Sequence, residues 1–339
     1  MSTLNSVKNI VKNILPYGIS HQIIIKNEIK RQLSSIPCSE EPAIFNANGE
    51  FLKSIFLRDD QSWYNPYCFV DGQIPAYIHW DRYNYGLKNH VYSHKNILNT
   101  IGKPLKKFAF YIESESVVPE DYKIFDLNKD LDKEFELIFT WSEDILNKYS
   151  NAVFIPAYGV WYGTKKHGGI LNPDQYKYKT KNISIISSAK LKCELHNFRI
   201  NTAKHFKYIG ENSPVDTYGR FDGGEGFEKI SDPLEQYRYN IAIENNISPY
   251  YFTEKILNCF ASFTVPIYIG ATKINDFFNP NGIIQVKSIQ ENVIDKIVSS
   301  CDETDYLRRI PALIDNFNKV KEYLCIEDYL YTHYKKHFI

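Results

Sequence analysis

Short apolar runs separated by polar loops dominate the chain from about residue 35 onward. "KKFAFYIES" (106–114), "FELIFTW" (135–141) and "NAVFIPAYG" (151–159) have the length and composition of buried strands. The pattern restarts after residue 181. There "NISIISS" (182–188) reads as a strand and "KLKCELHNFRINTAKHFKY" (190–208) as a helix, and "VDTYGR" (215–220) is a short strand with its turn. A helix-like "DPLEQYRY", the strand "NIAIEN", a helix from Thr253 to Phe263, and the strands "VPIYIG" (265–270) and "IIQV" (283–286) follow. Strands that alternate with helical runs form βαβ units and a parallel sheet. Two such series predict an α/β protein with two Rossmann-like domains facing a central cleft.

The stretch between the series, "WYGTKKHGGILNPDQYKYKTK" (161–181), is rich in Gly, Lys and Tyr and has no hydrophobic period. It reads as a linker, with "KKHGG" (165–169) a solvated loop. The predicted organisation is an N-terminal segment 1–31, a first domain 32–165, a linker 166–181, a second domain 182–302 and a helical segment 303–339 packing back on the first domain. In the N-terminal segment Val7, Ile10, Val11, Ile14 and Leu15 share one helical face. Five basic residues against one acidic give residues 1–31 a net charge of +4. Such a helix fits the headgroup region of an anionic membrane, and equally well an ordinary packed helix with its lysines in water.

Charge elsewhere excludes more than it suggests. The 40 basic and 40 acidic side chains of the 339 residues cancel, so no global field favours a nucleic acid partner. The six cysteines show no CxxC or other metal spacing and read as free thiols of a reducing compartment. No apolar run approaches the ~20 residues that span a bilayer. The expected location is the cytoplasm, or the inner face of the membrane as a peripheral protein.

Candidate chemistry concentrates at "ENNISPYYFTEKILNCF" (244–260). Thr253 suits an N-cap, and Ile256, Leu257, Phe260 and Phe263 form the buried stripe of the helix that follows. Glu254 in the first turn is electrostatically ordinary, whereas Lys255 opposes the helix dipole unless an anion lies beside it. A bound diphosphate resolves that mismatch, with Glu254 left to accept hydrogen bonds from sugar hydroxyls. In the other half, Glu113 and Glu115 stand at a strand end, where partial burial raises a carboxyl toward the pKa of a general base. Alternation puts both on one side of an extended chain, so their geometry does not choose between them. His79, Trp80, Asp81, Arg82, Tyr83, Tyr85, His90, Tyr92 and His94 cluster without a ligand pattern such as HExxH, so no metal site is assigned. "FDGGEGF" (221–227) lacks the Lys-Ser/Thr of a phosphate loop and reads as a mobile loop near the nucleotide.

Residues 237–284 resemble the donor-binding signature of the glycosyltransferase family 10 fucosyltransferases. That signature is Glu-Asn at a strand end, aromatic-x-Thr-Glu-Lys, a helix, Val/Ile-Pro-Ile/Val-x-x-Gly and Phe-x-Pro. Here it reads Glu244-Asn245, Tyr251 to Lys255, Val265 to Gly270 and Phe278 to Pro280. "ISIISSAKLKCELHNFR" and "VDTYGR" are similar to the family's preceding strand, helix and Asp-x-Tyr-Gly segment. "DRYNYGLKNHVYSH" (81–94) and "FYIESESVVPEDY" (110–122) are similar to the amino-terminal half of bacterial members.

The resemblance implies a GT-B-type fold and an inverting transfer of L-fucose from GDP-β-L-fucose to a glycan hydroxyl, such as that of an N-acetylglucosamine in a lipopolysaccharide. It implies Glu113 as the catalytic base, with Arg199 and Lys255 on the diphosphate. Asn245, Tyr251 and Glu254 join them around the donor, and Asp81, Arg82, Tyr83 and Glu115 fall on the acceptor side. No cofactor is required, with Mg2+ or Mn2+ an activator at most. The chain departs from the family pattern at Ile269, where Trp is common, and at Asn246, where Ser is frequent. These departures leave open another nucleoside-diphosphate deoxysugar or a heptose as donor. A non-catalytic glycan- or nucleotide-binding module and a sugar-nucleotide epimerase are the rival classes, and joint retention of Glu113, Arg199 and Lys255 speaks against the first.

Overall fold

The computed structural model describes residues 17–59, 68–70 and 72–338. Val7 to Leu15, on which the amphipathic reading rests, lie outside the described residues. Helix α1 (Tyr17–Leu33) leads into a first sheet of β1 (Ile44–Phe45), β2 (Phe51–Arg58), β3 (Ile78–Asp81), β4 (Asn89–Ser93), β5 (Lys106–Phe110), β6 (Leu137–Thr140) and β7 (Ala152–Phe154). Its order is β1-β2-β4-β5-β6-β7, with β3 also paired to β2, and every pairing but β1–β2 is parallel. Short helices α2 (Ile124–Leu127) and α3 (Glu143–Lys148) connect its strands.

The second sheet is wholly parallel, in the order β12-β11-β10-β8-β9. It comprises β8 (Lys181–Ile186), β9 (Val215–Tyr218), β10 (Tyr237–Ile243), β11 (Val265–Ile269) and β12 (Ile284–Gln285). Its helices are α4 (Glu194–Ile209), α5 (Glu254–Ala261), α6 (Glu291–Val298) and α7 (Glu303–Val320), and α8 (Ile326–Phe338) ends the described chain. Apolar runs such as those of β8 and β11 are buried on both faces, as parallel strands covered by helices require. Along β10 the faces divide. Tyr239, Ile241 and Ile243 enter the core of the second sheet, and Ala242 faces a larger core that spans both halves.

Three elements differ from the sequence reading. "DPLEQY" is a chain of turns rather than a helix, because Thr180 and Lys181 donate to Gln236 O and recruit the segment to the β8–β10 ladder from Tyr237 on. Helix α5 stops at Ala261, short of Phe263. Phe263 takes a left-handed φ of 56° while its N–H bonds Phe260 O and the N–H of Thr264 bonds Cys259 O. That is the Schellman pattern, normally closed by Gly. The steric cost of a side chain there, of order 1–2 kcal/mol, is offset by stacking of Phe263 on Phe317 at 4.5 Å. The single C-terminal helix is two helices, because Val160 N–H takes the carbonyls of Tyr323 and Leu324 at the break. Gly159 permits that approach: a Cβ there would stand 2.8 Å from Leu324 O.

Aromatic side chains weld the halves together. Trp141 packs on Tyr251 at 4.5 Å, and Phe154 on Phe252 and Phe277 at 6.2 and 5.2 Å. Phe252 also meets Phe278 and Tyr323. Lys273 pairs with Glu143 at 2.7 Å, and Ser116 Oγ donates to Asn246 Oδ1 at 2.8 Å. Helix α8 returns to the first sheet, with Ile326, Leu330 and Phe338 in the shared core, whereas α7 packs on the second sheet through Tyr306, Leu313 and Phe317. At its start, fully buried Glu327 accepts the N–H of Phe69 at 2.6 Å.

Phe252 is fully buried between the halves, so Phe252→Ala should cost about 3–5 kcal/mol by the cavity it leaves. Urea denaturation should then resolve two transitions where the wild type shows one. An unchanged single transition at wild-type midpoint would show that the aromatic contacts do not couple the halves.

Candidate active site

A cleft of about 930 Å³ opens between the sheets. It lies where strands of both halves end, the position ligands take in open parallel sheets. Glu113 lines it from the first half, and Arg199, Asn245, Tyr251, Glu254 and Lys255 from the second.

The second-half cluster is organised by Glu244, which follows β10 and is fully buried. Its carboxylate accepts the N–H of Thr253 at 2.9 Å and the hydroxyl of Thr253 at 2.7 Å, and lies 3.3 Å from Lys255 Nζ. Thr253 is the N-cap of α5, its hydroxyl accepting the N–H of Lys255. Gly270 is the glycine this arrangement demands, since a Cβ would come within 2.5 Å of the Glu244 side chain. The first-turn lysine is therefore not waiting for an outside anion: Glu244 and Glu254, the latter at 3.2 Å, already compensate it. Burial tends to depress the Lys255 pKa, and the two carboxylates more than reverse this and hold it above its ordinary value. Burial raises the Glu244 carboxyl, with Lys255 opposing.

Arg199 comes from α4 and is buried, donating to Ile243 O at 2.7 Å and reaching Asn245 Oδ1 at 3.5 Å. Tyr251 is fully buried against Trp141, yet its hydroxyl has no hydrogen-bond partner among the described residues. Burial and the charge of Glu113 raise its pKa well above that of a free phenol, so it keeps its proton and can donate.

In the first half, β5 ends at Phe110 and a turn from Ser114 to Val118 breaks the alternation. Glu113 consequently lines the cleft while Glu115 is exposed and does not. The N–H groups of Ile112 and Glu113 both donate to His94 Nε2, at 3.2 and 2.9 Å. That nitrogen carries no proton, which places the ring proton on Nδ1, 3.4 Å from Asp121. His94 holds a left-handed φ of 52°, a strain tolerated only where the surroundings fix it. Tyr122 donates to Glu113 O at 2.6 Å and Ser114 N–H to Glu113 Oε1 at 2.8 Å. Glu113 Oε2 has no such partner among the described residues.

Asp81, Arg82 and Tyr83 do not line the cleft. Asp81 caps a turn through the N–H groups of Tyr83 and Asn84, Arg82 holds buried Asp59 through two bonds of 2.9 and 2.8 Å, and Tyr83 is exposed. His90 is buried and its pKa falls to about 4, which fits aromatic core, and no metal-binding group occurs among the described residues. The loop read as solvated contributes Lys166 and His167 to the cleft, His167 stacked on Trp161 at 4.9 Å. Phe227 of the Gly-rich loop, Tyr158 and His196 also line it. Proximity in the fold selects these residues, which the sequence reading quoted within larger segments without assigning them to a site.

Lys255→Met leaves Glu244 buried without its cation. The carboxyl pKa, already raised, should rise further. The penalty is then absent below the ordinary value of 4.5 and appears as pH rises through the raised one. Breaking a buried pair costs about 3–5 kcal/mol, so the variant should be destabilised by that much near pH 8 and far less near pH 5. A loss independent of pH would sever Lys255 from Glu244.

Part of the chain is similar in sequence to known proteins, and its fold is similar to a solved structure. Residues 176–308 match the model described as glycosyltransferase family 10 (fucosyltransferase), C-terminal part. The chain is 27% identical over 167 residues to the 3-galactosyl-N-acetylglucosaminide 4-alpha-L-fucosyltransferase FUT3 of Bos taurus, 48% of this chain and 41% of that protein. It is 36% identical over 63 residues to the alpha-(1,3)-fucosyltransferase FucT of Helicobacter pylori, 19% of this chain and 13% of that one. The matches thus span well under half the length of these relatives. In structure, an alpha1,3-fucosyltransferase crystallised with GDP superposes over 89% of this chain and 94% of its own, with a TM-score of 0.51 at 15% identity. The fold is accordingly of GT-B type, and residues 176–308 are similar to the C-terminal part of the glycosyltransferase family 10 fucosyltransferases.

Proposed function

We propose that the protein transfers L-fucose from GDP-β-L-fucose to a glycan hydroxyl with inversion at the anomeric carbon. The observation that carries this reading is one cleft with a carboxylate from one half and cations from the other: Glu113 lines the same space as Arg199 and Lys255. The acceptor hydroxyl attacks the anomeric carbon and gives its proton to Glu113. The bond from that carbon to the diphosphate oxygen breaks, and its electron pair leaves with GDP. Arg199 and Lys255 compensate the charge that develops, an interaction stronger in the transition state than in the ground state. Tyr251 offers its unpartnered hydroxyl to the donor, and Glu254 accepts from ribose or sugar hydroxyls.

Fucose is favoured over another deoxysugar or a heptose, because the two departures from the family pattern stand away from the site. Ile269 is buried in the core of the second sheet and Asn246 is engaged by Ser116, and neither lines the cleft. The acceptor side is the wall of Phe69, Val70, Tyr158 and Trp161, suited to a sugar such as N-acetylglucosamine of a surface lipopolysaccharide. The reaction needs no resident metal, Mg2+ or Mn2+ serving at most as activator. Residues 1–31 hold the enzyme at the inner face of an anionic membrane. Deleting residues 1–16 should then reduce co-sedimentation with anionic vesicles, and unaltered sedimentation would remove the membrane from the reading.

Calorimetry with GDP, UDP, GDP-fucose and GDP-mannose tests the donor. GDP and GDP-fucose should bind best, and a preference for UDP or indifference among the four would sink the fucose assignment. Glu113→Gln should lower kcat by about 10²–10⁴-fold while donor affinity stays within about twofold, because the base acts on the acceptor. Equal loss of both would remove Glu113 from the role of base.

A further inference from the structure

His196 lies in the first turn of α4 on the wall of the cleft, beside Arg199 and Asn245. Its Nδ1 accepts the backbone N–H of Lys192 at 3.1 Å, so that nitrogen carries no proton. Neutral imidazole has one ring proton, which must then sit on Nε2. Nε2 is 3.0 Å from Asn245 Oδ1, and a protonated ring nitrogen can only donate there. The amide of Asn245 is therefore oriented with its oxygen toward His196. Arg199 Nη1, also a donor, lies 3.5 Å from the same oxygen and favours the same orientation.

The consequence concerns the other end of the amide. Asn245 Nδ2 has no hydrogen-bond partner among the described residues, and Asn245 is half-buried on the cleft wall. Asn245 lines the same space as Arg199 and Lys255. A flipped amide would present an oxygen there and repel an anion. The backbone of Asn245 is tied to the same turn of α4, since Cys193 Sγ donates to Asn245 O at 3.3 Å. Burial and the charge of Arg199 bring the His196 pKa down to about 4, which keeps the ring in the neutral form that this chain of bonds requires.

We propose that His196 is a positioning residue that locks the Asn245 amide with its nitrogen toward the cleft, as a donor to an oxygen of a nucleoside diphosphate. The proposal rests on the donor reading above, and its test separates the two. GDP is titrated calorimetrically into the wild type, His196→Gln and His196→Met, each also in an Asn245→Ala background. Gln keeps an N–H for Asn245 Oδ1 and should bind GDP within about threefold of wild type. Met has similar volume but no donor and should weaken binding about tenfold, a factor within reach of one hydrogen bond to an ionised partner. In the Asn245→Ala background the same Met substitution should cost less than about twofold, because the group it orients is gone. A loss of equal size in both backgrounds, or no loss in either, overturns the role of His196 and leaves the donor reading standing. No binding of GDP by the wild type overturns both. The ring itself gives a readout independent of any variant: 15N–1H spectra of the wild type should show His196 neutral and protonated at Nε2 near neutral pH. The Nδ1–H tautomer would refute the lock even if the Met variant failed to fold.

Discussion

One buried carboxylate organises the second half of this protein. Glu244 has no exposure, and a carboxylate in that position must find donors or a cation for each oxygen. It finds the N–H and hydroxyl of Thr253, and the ammonium of Lys255. Thr253 thereby becomes an N-cap whose direction is set from behind, and α5 can start only there. Lys255, one of the cations of the cleft, is aimed by the same group. Gly270 and the hydroxyl of Tyr268 close the remaining side, at distances that no larger residue at 270 would respect. A strand end, a helix start and a cation are thus placed by a single side chain.

The other constraint is the aromatic seam between the halves. Because Tyr251 and Phe252 are buried against Trp141, Phe154 and Tyr323, the loop before α5 serves the interface and the cleft at once. Glu113 and the cations are thereby held in one frame by packing between the halves. Preorganisation of this sort is what electrostatic stabilisation of a departing anion needs, since donors that must first move give back part of what they contribute. Both walls carry a histidine in a defined neutral tautomer, His94 behind Glu113 and His196 behind Asn245. Each is fixed by backbone N–H groups.

Much of this was legible in the residues themselves. Buried parallel strands announce themselves as apolar runs, which reveal the second sheet and β5 to β7 of the first, while β1 to β4 went unread. The helix after Thr253 follows from its cap and its stripe. The grouping of Asn245, Tyr251, Glu254 and Lys255 on the cleft wall was legible because they are close in sequence and anchored on one strand end, one loop and one helix. What the sequence concealed depends on partners distant along the chain. Lys255 looked mismatched only because Glu244, eleven positions earlier, folds back to meet it. Glu113 and Glu115 could not be told apart by alternation, since the turn after Ser114 cancels it. Asp81 and Arg82 are engaged by a turn and by Asp59 and do not line the cleft. His196 is an unremarked residue in a helix until the Lys192 amide and Asn245 stand beside it.

The return of α8 to the first sheet carries a consequence for the order in which the chain folds during synthesis. Phe338 packs on Phe108 at 4.8 Å, and Asn89 donates to its carbonyl. Lys106 does the same for His337. The core of the first half is thus completed by residues that are synthesised after the whole of the second sheet. Vectorial synthesis ordinarily lets an N-terminal unit fold first. Here the second sheet, whose strands and covering helices all precede residue 321, can close before the first one does. The half made earlier is the half finished later, and until then its unfilled apolar face is what a chaperone would meet.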